Sequence, residues 1–278
     1  QYAQPLDFRA QTGIPRLPQG YISVLSHEVT RLEARLSLHQ GNARHALQLL
    51  KTDDSEEAIW LSALATLIND PTQATTVYSQ AINAAKNTRT LPQKRRSYAL
   101  AAQAAQRSEH SINRILALEA GLALARTPRQ NETSQAEELL PLSTDQLWQA
   151  YQSFGVARAS QLRADLPPDA TADNLTAKMQ QEITQLMALA ARTPETRAKT
   201  LAEAQALLWV LGYTQVKQQG QNWQLTLLQG QDLHHAQLTP LQHKAQLQFL
   251  SLLRDRHSEN SLVLSLMLDT TRWKMADI

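Results

Sequence analysis

The chain has 278 residues, and its 27 basic and 25 acidic side chains give a formal net charge of +2. This small excess excludes a strong single-sign field of the kind that attracts nucleic acid or an anionic membrane. Aromatic residues make up 5% of the chain, and glycine and proline number only 8 and 11. That composition favours closely packed Ala/Leu helices over a β-rich fold.

Cysteine is absent, which excludes disulfides, thiolate metal sites and a cysteine nucleophile. No run of about 18 apolar residues occurs, so we expect no membrane-spanning segment. A cysteine-free chain suits an oxidising space. The start at Gln1 fits a cleaved secretory signal, although an arbitrary chain boundary explains it equally well. We expect a periplasmic or secreted protein, with a cytoplasmic location as the alternative.

Residues 1–20 contain three prolines and no helical period, which predicts an extended arm. From Tyr21 a helix is predicted, because apolar residues fall three or four apart on one face. They are Ile22, Leu25, Val29, Leu32 and Leu36. Gly41 is expected to end this helix. A short helix from Ala43 to Lys51 completes a helical hairpin.

Two further helical hairpins are predicted. One begins after the N-cap residues Asp54 and Ser55 and turns at Pro71, which is expected to open its second helix. The other runs from Pro92 to Arg107 and returns from Ser111 to Arg126. The second helices of the three hairpins start about 30 to 40 residues apart, which is the period of helix-pair repeats.

The second hairpin carries a recognisable spacing of small and large residues. Ala74, Tyr78 and Ala81 lie four and three residues apart, and Trp60 and Leu64 precede them on the first helix. This pattern resembles the tetratricopeptide repeat, although that family's first-helix glycine and closing proline are missing. The resemblance implies a helical solenoid, which we assign to residues 21–165, with a groove that holds a partner protein or peptide.

The implied groove would be lined by residues of the first helices. The candidate partner-binding residues are Glu28, Arg31, Arg35, Trp60, Arg95 and Tyr98. For each of them, ordinary helix packing or solvent exposure is the competing interpretation.

Residues 172–278 predict a second, non-repeat helical region, separated from the solenoid by the loop 165–171 with its Pro167-Pro168 pair. Just before that loop, a helix that begins near Ser143 is expected to be interrupted or bent at Gly155. Within the region, a helix is expected to end at Gly212, and alternating apolar residues then predict a β-hairpin at about 213–228. Trp223 on this hairpin is one more candidate partner contact.

Helices from Pro240 and from Ser261 are predicted to close the chain. The fold class is therefore all-α: helical hairpins followed by a helical region that contains one β-hairpin.

Enzymatic motifs are absent: the sequence has no phosphate-binding glycine loop, nucleophile elbow or zinc-protease motif. The adjacent glutamates Glu56-Glu57 and Glu137-Glu138 fit helix first turns, where negative charge is favourable. Asp232, His234, His235 and His243 are the sharpest metal candidates, but they lack a characteristic ligand spacing. We predict no catalytic site, no metal and no cofactor.

The function predicted from the sequence is a non-catalytic protein-interaction scaffold of the bacterial cell envelope. In composition and hairpin arrangement, the chain is similar to the helical amino-terminal modules of penicillin-binding-protein activators and soluble lytic transglycosylases. This similarity suggests a cell-wall enzyme or envelope complex as partner, or a role as the helical non-catalytic part of a larger enzyme. A winged-helix DNA-binding regulator is a further alternative, with the second helix of residues 172–278 as its recognition helix. The sequence argues against it, because the basic footprint is missing.

Overall fold

The fold is that of a computed structural model that describes residues 19–124, 139–219, 222–228 and 238–257. It divides into two compact units, Gln1–Asp70 and Pro71–Ile278. The predicted all-α fold with one β-hairpin is confirmed. The arm at residues 1–20, apart from the two residues that begin the first helix, and the helix from Ser261 lie outside the described residues.

Three helices form the described part of the first unit. They are α1 (Gln19–His39), α2 (Ala43–Leu49) and α3 (Glu56–Asn69), and all three pack against one another. Gly41 ends α1 as predicted, because its φ of +78° belongs to the left-handed region that glycine adopts without strain. Ser55 caps α3 by accepting a hydrogen bond from the Ala58 N–H at 3.2 Å.

The second unit contains seven described helices and one hairpin. The helices are α4 (Ala74–Asn87), α5 (Leu91–Arg107), α6 (Ser111–Ala123), α7 (Thr144–Ala164), α8 (Ala172–Arg192), α9 (Arg197–Tyr213) and α10 (Pro240–Arg256). Pro71 opens a 3₁₀ turn, Pro71–Gln73, and α4 starts only after it, which corrects the predicted helix start. Helices that follow one another in sequence pack together from α4 to α7, an order compatible with a helical-repeat-like fold.

The hairpin pairs β1 (Thr214–Gln219) with β2 (Asn222–Leu227) in antiparallel register, from Thr214 opposite Leu227 to Gln219 opposite Asn222. It begins directly after α9, and the Leu228 N–H donates to the Tyr213 carbonyl at 2.9 Å. The predicted position of the hairpin is therefore correct. The side chain of Trp223, a candidate contact, lies outside the described residues.

Helix α9 is the central helix of the second unit. It packs against α6, α7, α8 and α10, and nearly every residue from Thr200 to Tyr213 is buried. Aromatic rings from three helices meet there, with Trp148 stacked on Phe249 and Trp209 on Tyr213. A helix that is apolar all round belongs in an interior, and this one occupies the core.

Two glycines allow close helix packing in this core. Helix α7 is continuous through Gly155, where an added Cβ would lie 2.6 Å from the Ala206 carbonyl oxygen of α9. Gly212 lies inside α9, and its carbonyl accepts a hydrogen bond from the Gln246 amide at 2.8 Å. Helix α7 is therefore not interrupted at Gly155, and α9 ends at Tyr213, one residue after the predicted Gly212. Both glycines allow close contacts between helices.

Candidate interaction surface

Helix α1 buries one face within the first unit. Arg31, Ala34, Ser37 and Leu38 are buried, and they fall at the three- and four-residue steps of a single helix face. That face packs on α2 and α3. The helix is therefore held by a narrow strip, and Leu25, Val29, Leu32 and Leu36 of the sequence pattern are not part of it.

The opposite face of α1 carries an exposed apolar row. Its members are Leu25, Val29, Leu32 and Leu36, at 53%, 53%, 61% and 58% exposure, and we call them the α1 stripe. Leu32 and Leu36 each lie two residues from the fully buried Ala34, and at about 100° per residue this places them across the helix from the buried face. The four residues follow a 4-3-4 spacing, which is the pattern of a helix that packs lengthwise on another helix.

A buried ion pair fixes the direction in which the stripe points. The Arg31 guanidinium donates to the Asp53 carboxylate at 3.0 Å and to the Ser55 hydroxyl at 2.8 Å, and both charged side chains are largely buried. Burial alone would raise the pKa of Asp53, but hydrogen bonds from Ser55 and the charge of Arg31 outweigh it and lower the pKa. Because Arg31 is anchored to the chain just before α3, rotation of α1 to bury the stripe would break this pair.

The candidate residues of the first unit lie around this anchor. Glu28 is half exposed and bonded to Arg31, and Arg35 forms an ion pair with Glu57. Trp60 is half-buried on α3. Arg31 is thus a structural anchor, and Glu28 and Arg35 lie at the surface beside the stripe.

The remaining described candidates belong to the second unit. Arg95 is buried on α5, and Tyr98 on the same helix is half-buried. An added Cβ at Gly121 of α6 would lie 3.1 Å from the Tyr98 Cβ, so this part of Tyr98 faces α6. Arg95 and Tyr98 thus belong to the packing of the second unit.

A buried polar cluster in the second unit was not predicted from the sequence. Glu119 of α6 is fully buried, and both of its carboxylate oxygens accept hydrogen bonds from Arg256 at the end of α10, one of them at 3.0 Å. Tyr151 donates to the same carboxylate, and His257 Nε2 lies 3.2 Å from it. The only sequence signal was a single glutamate within the otherwise apolar segment 115–122 of α6.

Electrostatics stabilise the ionised form of Glu119. Burial by itself would raise the pKa of this carboxyl group, but the Arg256 charge and the bonds from His257 and Tyr151 outweigh it and lower the pKa. Burial also raises the pKa of the Tyr151 hydroxyl, and the neighbouring Glu119 charge adds to this. The carboxylate has no exposed surface, so its chemical role is to tie α6, α7 and the end of α10 together.

The arrangement of α9 disfavours entry into a DNA groove. A recognition helix must present one exposed polar face to the bases. Among the polar side chains that α9 could offer to the bases, Arg197 and Lys199 are exposed, but Gln205 is fully buried. Its side chain bonds to Arg256 and to the Phe249 carbonyl instead.

Only one of the four candidate metal ligands lies within the described residues. His243 is exposed on α10, and Asp232, His234 and His235 lie outside the described residues. Within residues 19–124, 139–219, 222–228 and 238–257, no group of three or more His, Cys, Asp or Glu side chains could hold a metal ion. None of the described helices combines the length and apolar character needed to cross a membrane.

Comparison with known proteins gives no relative from which a role could be transferred. No family model matches the sequence, and no curated protein or solved structure matches it. On the surface of the described residues, the α1 stripe is the most extended apolar row on a single helix.

Proposed function

We propose that this protein is a non-catalytic interaction scaffold whose first unit binds an apolar helical face of another polypeptide through the α1 stripe. One observation carries the proposal: four large aliphatic side chains in helix-packing register are more than half exposed on a helix whose opposite face is buried. Covering such a row removes apolar surface from water, which is the main favourable term in protein association.

The geometry supports a helix as the bound element. A row with 4-3-4 spacing matches side chains at i, i+3, i+4 and i+7 on a second helix, the arrangement used when an amphipathic helix binds a protein surface. Glu28 and Arg35 border the row, with their charges at the rim, where polar groups of an interface usually lie.

The scaffold role in the bacterial cell envelope is part of the same proposal. It is supported by the absence of cysteine, by the Ala- and Leu-rich helical composition and by the resemblance of the second hairpin to a tetratricopeptide repeat. If the protein is periplasmic, it should be recovered in the periplasmic fraction when its natural gene is expressed in its native host. Recovery in the cytosol would contradict the envelope role. It would not bear on the α1 stripe, which crosslinking tests independently.

Site-specific photo-crosslinking in living cells tests the binding surface. A photoreactive phenylalanine analogue at position 32, in the stripe, is expected to form covalent adducts with protein on illumination. The same analogue at Gln185, an exposed position of α8, is the matched control and should not form those adducts. The proposal fails if position 32 yields no protein adduct, or only the adducts that Gln185 also yields.

A further inference from the structure

The α1 stripe is complementary to itself when two copies run antiparallel. If Leu25 packs opposite Leu36 of a second copy, the 4-3-4 spacing places Val29 opposite the partner's Leu32. Twofold symmetry then repeats both layers, so all four stripe residues of each copy are matched. In heptad terms each layer joins an a position to a d position, which is the layer type of antiparallel coiled coils.

The charges beside the stripe select the antiparallel direction. In that register Glu28 lies beside the partner's Arg35, and symmetry produces the same attractive pair a second time. A parallel arrangement would instead place Glu28 beside the partner's Glu33, with two repulsive pairs.

Both charged groups can reach across such an interface. The Glu28 and Arg35 side chains keep 53% and 33% of their surface exposed while bonded to Arg31 and Glu57. A carboxylate accepts several hydrogen bonds and a guanidinium donates five, so a cross-interface pair adds to the existing bonds without replacing them.

We infer that the occupant of the α1 stripe is a second copy of this chain, bound antiparallel through Leu25–Leu36 and Val29–Leu32 layers. This inference rests on the proposed function in that it takes the stripe to be a protein-binding surface. The contact is about two heptads long, so the association is expected to be weak and reversible.

Disulfide trapping tests the partner and its direction together. The chain has no native cysteine, so Leu25→Cys and Leu36→Cys each introduce a unique thiol. An oxidised equimolar mixture is expected to form mainly the mixed disulfide between positions 25 and 36. Residue 25 of one copy and residue 25 of the other would lie about 16 Å apart along the helix axis, which is too far for a disulfide.

Charge exchange provides an independent readout. Glu28→Arg and Arg35→Glu are each expected to raise the dissociation constant of the dimer by up to about tenfold, because each replaces attraction by repulsion. The two variants mixed should associate more tightly than either alone, since the mixed pair restores opposite charges on both sides. Sedimentation over a concentration series measures all three constants.

The outcomes separate this inference from the proposed function. A wild-type chain that stays monomeric at the highest attainable concentration overturns the dimer, as do disulfides that join like positions only. If position 32 nevertheless photo-crosslinks to a different protein, or to residues 1–18 of its own chain, the second copy is excluded as occupant. A crosslink to a different protein would still support the scaffold function, whereas a crosslink to residues 1–18 of the same chain would contradict it.

Discussion

The two units of this protein use their apolar side chains differently. In the second unit, α9 is buried on nearly all sides, and its Trp209 and Tyr213 pack in an aromatic core with α7 and α10. In the first unit, α1 buries mainly Ala34 and Leu38 and leaves its four stripe residues exposed. The contrast shows that an apolar helical face is not by itself a core face, because a helix that is anchored through its opposite face can leave it exposed.

The charged groups differ between the units in the same way. The Arg31–Asp53 pair of the first unit lies at the edge of a small three-helix packing, and both side chains keep a little exposed surface. Glu119 of the second unit has none, and Arg256 and His257 approach it from the end of α10. We therefore expect the second unit to depend on one buried ion pair, and the first to tolerate change over much of its surface.

The largest effect is expected from breaking the buried pair. Arg256→Met leaves the Glu119 carboxylate buried without its main partner, which should lower the free energy of unfolding by about 3–5 kcal/mol. The double variant Glu119→Leu/Arg256→Met replaces both charges with apolar groups and should recover most of that loss. Urea unfolding of the wild type and both variants measures the two changes. A small loss in Arg256→Met would contradict the dependence of the second unit on this pair.

Acid should weaken the second unit through the same carboxyl group. The folded-state pKa of Glu119 is lowered from its ordinary value of 4.5, so its contribution is complete above that value. The contribution is lost as the pH falls through the lower folded pKa, where the unfolded chain already binds the proton. Glu119→Gln removes this titrating group. The free energy of unfolding of the variant should therefore fall less than that of the wild type as the pH is lowered from about 5. If the free energy of unfolding falls equally steeply with pH in both proteins, Glu119 is excluded as the cause of the acid sensitivity.

Packing at Gly155 should give an intermediate effect. A Cβ in Gly155→Ala would meet the backbone of Ala206, so α7 and α9 must separate. After the gain in helix propensity is subtracted, we expect a loss of about 1–2 kcal/mol. Gly121→Ala is the control, because its nearest contact is the flexible end of the Leu142 side chain. Thermal unfolding should rank Gly121→Ala above Gly155→Ala, and the reverse order would contradict the close-contact role of Gly155.

Much of the local structure could be predicted from the sequence, because helix periodicity, N-caps and turn residues are local signals. The end of α1 at Gly41, the cap at Ser55 and the hairpin near residue 214 are such cases. Tertiary contacts are harder to predict: the sequence does not show that the backbones of Ala206 and Gln246 approach Gly155 and Gly212.

The candidate site was less predictable for the same reason. The spacing of Leu25, Val29, Leu32 and Leu36 predicted one helix face, but whether that face points inward depends on the opposite side of the helix. There Arg31 pairs with Asp53, which is 22 residues away in the chain. The Glu119–Arg256 pair spans 137 residues and leaves no periodic signal at either end.

The smallest effect on stability is expected from substitutions in the α1 stripe, and it distinguishes exposed apolar residues from those of the core. Leu32→Gln/Leu36→Gln changes two exposed side chains, so the free energy of unfolding should stay within about 0.5 kcal/mol per site of the wild-type value. Leu64→Ala, at a buried position of α3 in the same unit, should cost about 2–5 kcal/mol. If the stripe variant is instead as unstable as Leu64→Ala, those leucines serve the fold. If it is stable and no longer self-associates, they serve binding.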